Sequence, residues 1–130
     1  MNPFVRSKEM IAFIKASSRL HRAAYKPAID YLNRISDSSH LYRVVLAMRA
    51  FAYINVGEPA LATSALHELE KEMGPDDAQY RAYIDHLHAV MDNDMKKYWE
   101  AIDLYNRSDK DKFVQRHLPL FYPKVHGEPC

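Results

Sequence analysis

The stretch from Leu41 to Gly74 constrains the fold more than any other. Residues 41–54 read LYRVVLAMRAFAYI, with Arg43 and Arg49 as the only charges, so the segment is apolar on nearly every side. A helix of that composition has to be covered by other elements and cannot simply lie on a surface. Gly57 then supplies a left-handed stop, and Glu58-Pro59 restarts the chain with proline in the first turn of a second helix. In ALATSALHELEKEM, Ala62, Leu66 and Leu69 share one face while Glu68, Glu70, Lys71 and Glu72 lie elsewhere, and Gly74-Pro75 ends the run. The stretch predicts a helix hairpin with a tight corner.

The rest of the chain reads in the same way. Asn2-Pro3 is a cap followed by proline at a first helical position, opening a helix to about Ala23 that carries Met10, Phe13, Ile14, Ala16 and Leu20 on its apolar side. A short helix around 26–35 buries Ala28, Ile29, Leu32 and Ile35, and Ser36-Asp37-Ser38-Ser39 is a loop ending in a cap for the next helix. Asp76-Asp77 caps a fifth helix over about 77–91, with Tyr80, Ile84, Leu87 and Met91 on one side. Asp92-Asn93-Asp94 turns into a sixth, about 95–107, packing Tyr98, Ala101, Ile102 and Tyr105; Ser108-Asp109 caps a short seventh reaching about His117. Three glycines against abundant Ala, Leu, Met, Lys and Glu favour an all-α chain. Residues 1–117 form one helical domain, and 118–130, with three prolines, an extended tail.

The hairpin recurs. One and the same sequence offset separates Ala28 from Ala62, Leu32 from Leu66, Ile35 from Leu69, Ala16 from Ala50, and Ala12 from Leu46. That offset matches the period of the tetratricopeptide repeat, about 34 residues. With Tyr53-x-Asn55-x-Gly57, then Ala62, Leu66 and the Gly74-Pro75 break, the stretch resembles that family. The third copy, YWEAIDLY around Ala101, looks like the family's second helix; Ala101 falls further from Ala62 than one period, which implies a longer fifth helix or turn. The first copy has Tyr25-x-x-Ala28 without the turn glycine. The resemblance, covering roughly residues 9–108, implies three hairpins stacked as a short right-handed solenoid. The alternative on the residues alone is an irregular bundle of six or seven helices with no groove.

In a repeat stack the first helices line a concave surface. Mapped onto the family pattern, that surface displays Met10, Phe13, Ser17, Val44, Ala47, Phe51, Asn55, Tyr83 and His86, mostly apolar side chains suited to an extended peptide or a partner helix. Val44, Ala47 and Phe51 read equally well as core. In the chaperone-docking branch of the family, Lys, Asn and Arg clamp a terminal carboxylate; here the matching positions carry Phe13, Ser17 and Met48, which do not suit that ligand. The tail places Leu118, Leu120, Phe121 and Tyr122 on backbone that Pro119 and Pro123 keep extended, and such side chains should not be left in water. Two dispositions are open: the tail occupies the groove in the place of a ligand, or it caps the last hairpin. The acceptor is its own surface or a second copy, giving a homodimer.

Net charge is +1, unevenly spread: residues 1–50 carry nine Lys/Arg against three Asp/Glu, and residues 51–80 one against six. Lys15, Arg19, Arg22 and Lys26 form a basic stripe at helical spacing. With Tyr25 and Tyr31 nearby the stripe has elements of a nucleic-acid surface, but the overall balance argues against a dedicated binder and for a solvated face or an acidic partner. His88 and Asp92 have metal-ligand spacing, with Asp85 one turn earlier, yet His86 and His88 point about 200° apart on a helix and cannot act as a pair. Asp92-x-Asp94 lacks the glycine and terminal glutamate of a calcium loop. Cys130, the single cysteine, allows no internal disulfide, which suits a cytoplasmic chain; no phosphate-cradling glycine loop or GxSxG is present. These features predict no enzyme, no metal, no cofactor and no membrane segment. The expected function is an adaptor or chaperone holding a peptide or partner helix, similar in size and repeat count to the small secretion chaperones of bacteria. A different class is an immunity or antitoxin-type inhibitor that blocks an enzyme with a charged face, and a third, a metal-dependent hydrolase, would need bound metal in the purified protein.

Overall fold

The computed structural model describes residues 3–74 and 76–121. Seven helices and no strand occur among them: α1 (Pro3–His21), α2 (Tyr25–Leu32), α3 (Tyr42–Asn55), α4 (Pro59–Glu72), α5 (Ala78–Met91), α6 (Met95–Arg107) and α7 (Lys112–His117). The expected capping residue Asn2, the second half of the Gly74-Pro75 break, the tail beyond Phe121 and Cys130 all lie outside the described residues.

Consecutive helices pair as three hairpins, α1 with α2, α3 with α4 and α5 with α6, and α3 touches both neighbours through α2 and α5. The corner is the same each time. Ala23, Gly57 and Asn93 adopt left-handed backbone with φ of 60°, 78° and 53°. The next residue in each corner donates its amide five residues back: Ala24 to Arg19 (2.8 Å), Glu58 to Tyr53 (2.9 Å) and Asp94 to Ala89 (2.9 Å). That is the helix stop that glycine fits best, because a left-handed residue has no Cβ clash only when it has no Cβ. Ala23 and Asn93 adopt it without glycine, which is why sequence inspection finds the turn glycine in one copy of three.

These corners correct the register of the third copy. Ala23 and Gly57 are separated by the same offset as Ala28 and Ala62, whereas Asn93 follows Gly57 by two residues more. Counting from the corners, Tyr98, not Ala101, occupies the position of Ala28 and Ala62, and Ala101 stands one turn further on. The two additional residues do not lengthen the helix, since α3 and α5 both have 14 residues. They fall between the corners and outside those helices.

The core sits where α3 demands it. Val44 to Met48 and Ala50 to Ala52 are all buried, and only Arg43 and Arg49 interrupt the apolar surface. Both arginines are used: Arg43 lies 2.5 Å from the Asp77 carboxylate and 4.7 Å over the Tyr80 ring, and Arg49 donates to the Leu32 carbonyl at 3.0 Å, closing the end of α2. Asp77 was expected to cap α5 with its side chain. Its carboxylate instead accepts from the Gly74 amide (2.7 Å) and faces Arg43, so the loop between α4 and α5 is fastened to α3. Asp111 caps α7, accepting from the Phe113 and Val114 amides, in place of the Ser108-Asp109 expected from sequence. No helix among the described residues is long and apolar enough to cross a membrane.

Candidate functional site

The surface lined by α1, α3 and α5 is covered by α7 and residues 118–121. Phe13 is fully buried beneath α7: its ring stacks on Phe113 at 5.6 Å and meets His117 edge-on at 4.8 Å. Ser17, also buried, shares a 2.8 Å hydrogen bond with Nδ1 of His117. Burial lowers the His117 pKa from its ordinary value, and the Arg116 and His21 charges add to that. The start of α7 is anchored to α5 by one side chain. Gln79 donates through Nε2 to the Asp111 carbonyl and accepts the Asp111 amide through Oε1 at 3.1 Å.

Beyond α7 the chain leaves the helix, with Leu118 at φ −96° and ψ 102° and 4% exposed. Pro119 forbids helix continuation, so the backbone polar groups of this segment need other partners. Three side chains provide them. Tyr83 Oη donates to the Pro119 carbonyl at 2.7 Å. The Phe121 amide donates to His86 Nε2 at 2.9 Å, and Tyr98 Oη donates to the Phe121 carbonyl. The Phe121 ring lies 4.5 Å from that of Phe51 and 5.9 Å from His86.

His86 is the fixed point of this arrangement. Its Nε2 accepts from Phe121, and Nδ1 faces the Tyr83 carbonyl at 3.1 Å, so the proton sits on Nδ1 and the ring is neutral. Burial, opposed by the bond to the Tyr83 carbonyl, brings its pKa down to about 4. Burial likewise pushes the Tyr83 phenol well above its ordinary range and raises Tyr105. Both phenols stay protonated throughout the physiological range, and that of Tyr83 donates to the Pro119 carbonyl.

Most of the residues expected on the concave surface do not face solvent. Phe13, Ser17, Phe51, Tyr83 and His86 lie under α7 or residues 118–121, and Ala47 is buried. Val44, 3% exposed, and half-buried Met10 border a cavity of about 640 Å³ beside α7, shared with Arg43, Gln79, Tyr80 and Phe113. Burial pushes the Tyr80 phenol up to about 12 against the lowering influence of Arg43. Asn55 donates to the Phe51 carbonyl at 2.9 Å, within its own helix. Two features of the site escaped sequence reasoning, Gln79 and the hydrogen-bonding role of Tyr98. Their signal is a polar tip on an otherwise apolar helix face.

The basic stripe divides in two. Lys15 and Arg19 approach the Tyr31 ring at 5.7 and 5.6 Å, joined by Arg34 at 4.7 Å, while Arg22 and Lys26 are simply exposed. His88, Asp85 and Asp92 border a separate cavity of about 370 Å³ with Lys97 and Glu100, and burial raises the Asp85 pKa. Among the described residues no three His, Cys, Asp or Glu side chains group as a metal site requires. No family model matches this chain, and no curated protein or solved structure does either.

Proposed function

We propose that this chain is a protein-interaction module of the tetratricopeptide kind, an adaptor or chaperone whose three hairpins form a short right-handed solenoid and whose concave face holds a peptide in extended form. The observation that carries the reading is the seat of residues 118–121. Residues 118–121 of the chain itself lie against α3 and α5, held at the backbone by Tyr83 and His86. Backbone contacts of this kind serve any extended peptide that can present the same groups, as in other strand-capturing proteins. The chain's own segment then acts as an intramolecular occupant that a partner displaces.

The test uses the full chain with Phe121→Asp, which puts a carboxylate against Phe51 and His86 and should lift the segment. A displayed library of random peptides is selected on this variant and on the wild type. Enrichment on the variant, weaker on the wild type, is the expected result. No enrichment above an unrelated helical protein would sink the reading.

A second reading, an immunity or antitoxin-type inhibitor acting through a charged face, draws on the convergence of Lys15, Arg19 and Arg34 at Tyr31. Salt separates the two. An electrostatic face loses association rate steeply as ionic strength rises, and an apolar peptide groove does not.

A further inference from the structure

The contacts on residues 118–121 divide into those that any backbone can make and those that depend on side chains. Tyr83, His86 and Tyr98 read a carbonyl, an amide and a carbonyl, a donor–acceptor–donor pattern along one edge of the segment. None of the three distinguishes one residue type from another, except that the position of Phe121 must have an amide hydrogen and so excludes proline. Selectivity has to come from side chains, and two of them have defined seats. Leu118 is 4% exposed, and the half-buried Phe121 sets its ring between Phe51 at 4.5 Å and His86 at 5.9 Å. Pro119 and Leu120 between them are half-buried, and Leu120 packs against the core less deeply than Leu118.

We propose that the partner of this face is a protein segment in extended form that carries a large aliphatic residue three positions before an aromatic one, Leu-x-x-Phe in kind. The proposal rests on the peptide-binding reading above and names its ligand. An aliphatic anchor at the first position takes the place of Leu118 and an aromatic ring at the fourth takes that of Phe121. The second position is free in type and admits proline, since only its carbonyl is used, and the third, in the place of Leu120, makes a shallower apolar contact. The partner competes with a segment tethered to its own site, so its apparent affinity is reduced by the fraction of time the site stands open. Selective partners therefore need both anchors, since one anchor alone cannot displace a tethered pair.

The probe is a labelled pentapeptide, HLPLF, with three variants in which serine replaces the first leucine, the second leucine or the phenylalanine. Binding is measured by polarisation to full-length Phe121→Asp protein. It is measured again on the wild type through Trp99, the single tryptophan, whose ring meets that of Tyr98 at 5.0 Å, so the result does not depend on how the substitution folds. HLPLF should bind, more tightly to the opened variant, and lose at least about thirtyfold when either the first leucine or the phenylalanine becomes serine, the scale of a buried anchor. Serine at the second leucine, a shallower contact, should cost less than serine at either anchor. Equal binding of all four peptides overturns the two-anchor rule while leaving the peptide-binding reading intact. Binding of none to either protein overturns both. A wild-type dimer that HLPLF splits assigns the occupant to a second copy and overturns the proposal of a foreign partner.

Discussion

Acid should loosen the site chiefly through His86. His86 is fully buried and neutral, with a folded-state pKa of about 4 against an ordinary value of 6.5. The unfolded imidazole takes up its proton at the ordinary value and the folded one only near the lowered value. Between the two, the unfolded state holds more protons, so stability is complete above the ordinary value and falls as pH drops. At about 1.4 kcal/mol per pKa unit the whole effect is roughly 3 kcal/mol, of which about 2 kcal/mol is lost by about pH 5. Against a total of about 5–15 kcal/mol for a domain, that is a large share. The depressed His117 adds loss of the same sign, whereas Asp85, whose pKa is raised, gains stability as it becomes neutral.

The proton also has a specific place to act. Protonated Nε2 can no longer accept the Phe121 amide, so the extended segment should leave before the helices melt. Urea melts followed by helical circular dichroism, between about pH 7.5 and about pH 4.5, measure the first effect; Trp99 emission over the same range measures the second. His86→Phe is the control. It leaves the Phe121 amide without its acceptor, costing about 1–3 kcal/mol at neutral pH, but should remove most of the pH slope. If His86→Phe keeps the wild-type slope, the assignment of the acid sensitivity to His86 is wrong.

Other substitutions test the frame that holds the site. Ala23→Gly should stabilise by about 0.5–1 kcal/mol, since an alanine pays for left-handed backbone that glycine adopts freely, and Gly57→Ala should cost about 1 kcal/mol by strain alone. At Gly57 a Cβ would meet nothing within 4 Å, so a loss there cannot be blamed on a clash; thermal melts that show the two changes with the same sign would refute the shared corner. Ala62→Leu should overpack the fully buried contact between α3 and α4 by about 1–3 kcal/mol, and an unchanged melt would mean Ala62 is not at the helix crossing. Gln79→Ala should leave the Asp111 amide and carbonyl unpaired and cost about 1–3 kcal/mol, with faster hydrogen exchange confined to α7. Uniformly faster exchange would instead make Gln79 part of the global core.

The helices were legible because their ends carry strong local chemistry. Pro59 after Gly57, and Asp94 before Met95, place α4 and α6 where the structure has them. Locations set by tertiary demand were less visible. Asp77 looks like a helix cap on its own, but Arg43, far away in sequence, takes its carboxylate. The third copy misled for a related reason. Alanine is expected where helices cross, and the sequence offers Ala101 at a plausible distance. The corner that fixes the register is an asparagine, and at the crossing position stands Tyr98, a bulky residue that no small-residue pattern would select.

The surface was legible as a set of positions, yet whether it is open or covered was not. Periodicity assigns Phe13, Phe51, Tyr83 and His86 to one side of the first helices, and the structure buries all four. Periodicity cannot tell a groove from a core, because both need the same apolar stripe at the same spacing. The deciding information lay elsewhere in the chain, in a short α7 and in apolar residues next to prolines. Leu118 and Phe121 are too hydrophobic for a solvated end, which requires a cover to exist but not where it lies. Its place is determined by polar atoms. A segment that cannot bond to itself must find a donor for each carbonyl and an acceptor for each amide, and Tyr83, His86 and Tyr98 are the groups that supply them. Buried polar tips on an apolar stripe are therefore the better sequence signal for a backbone-binding face, and on α5 Tyr83 and His86, one turn apart, are that signal.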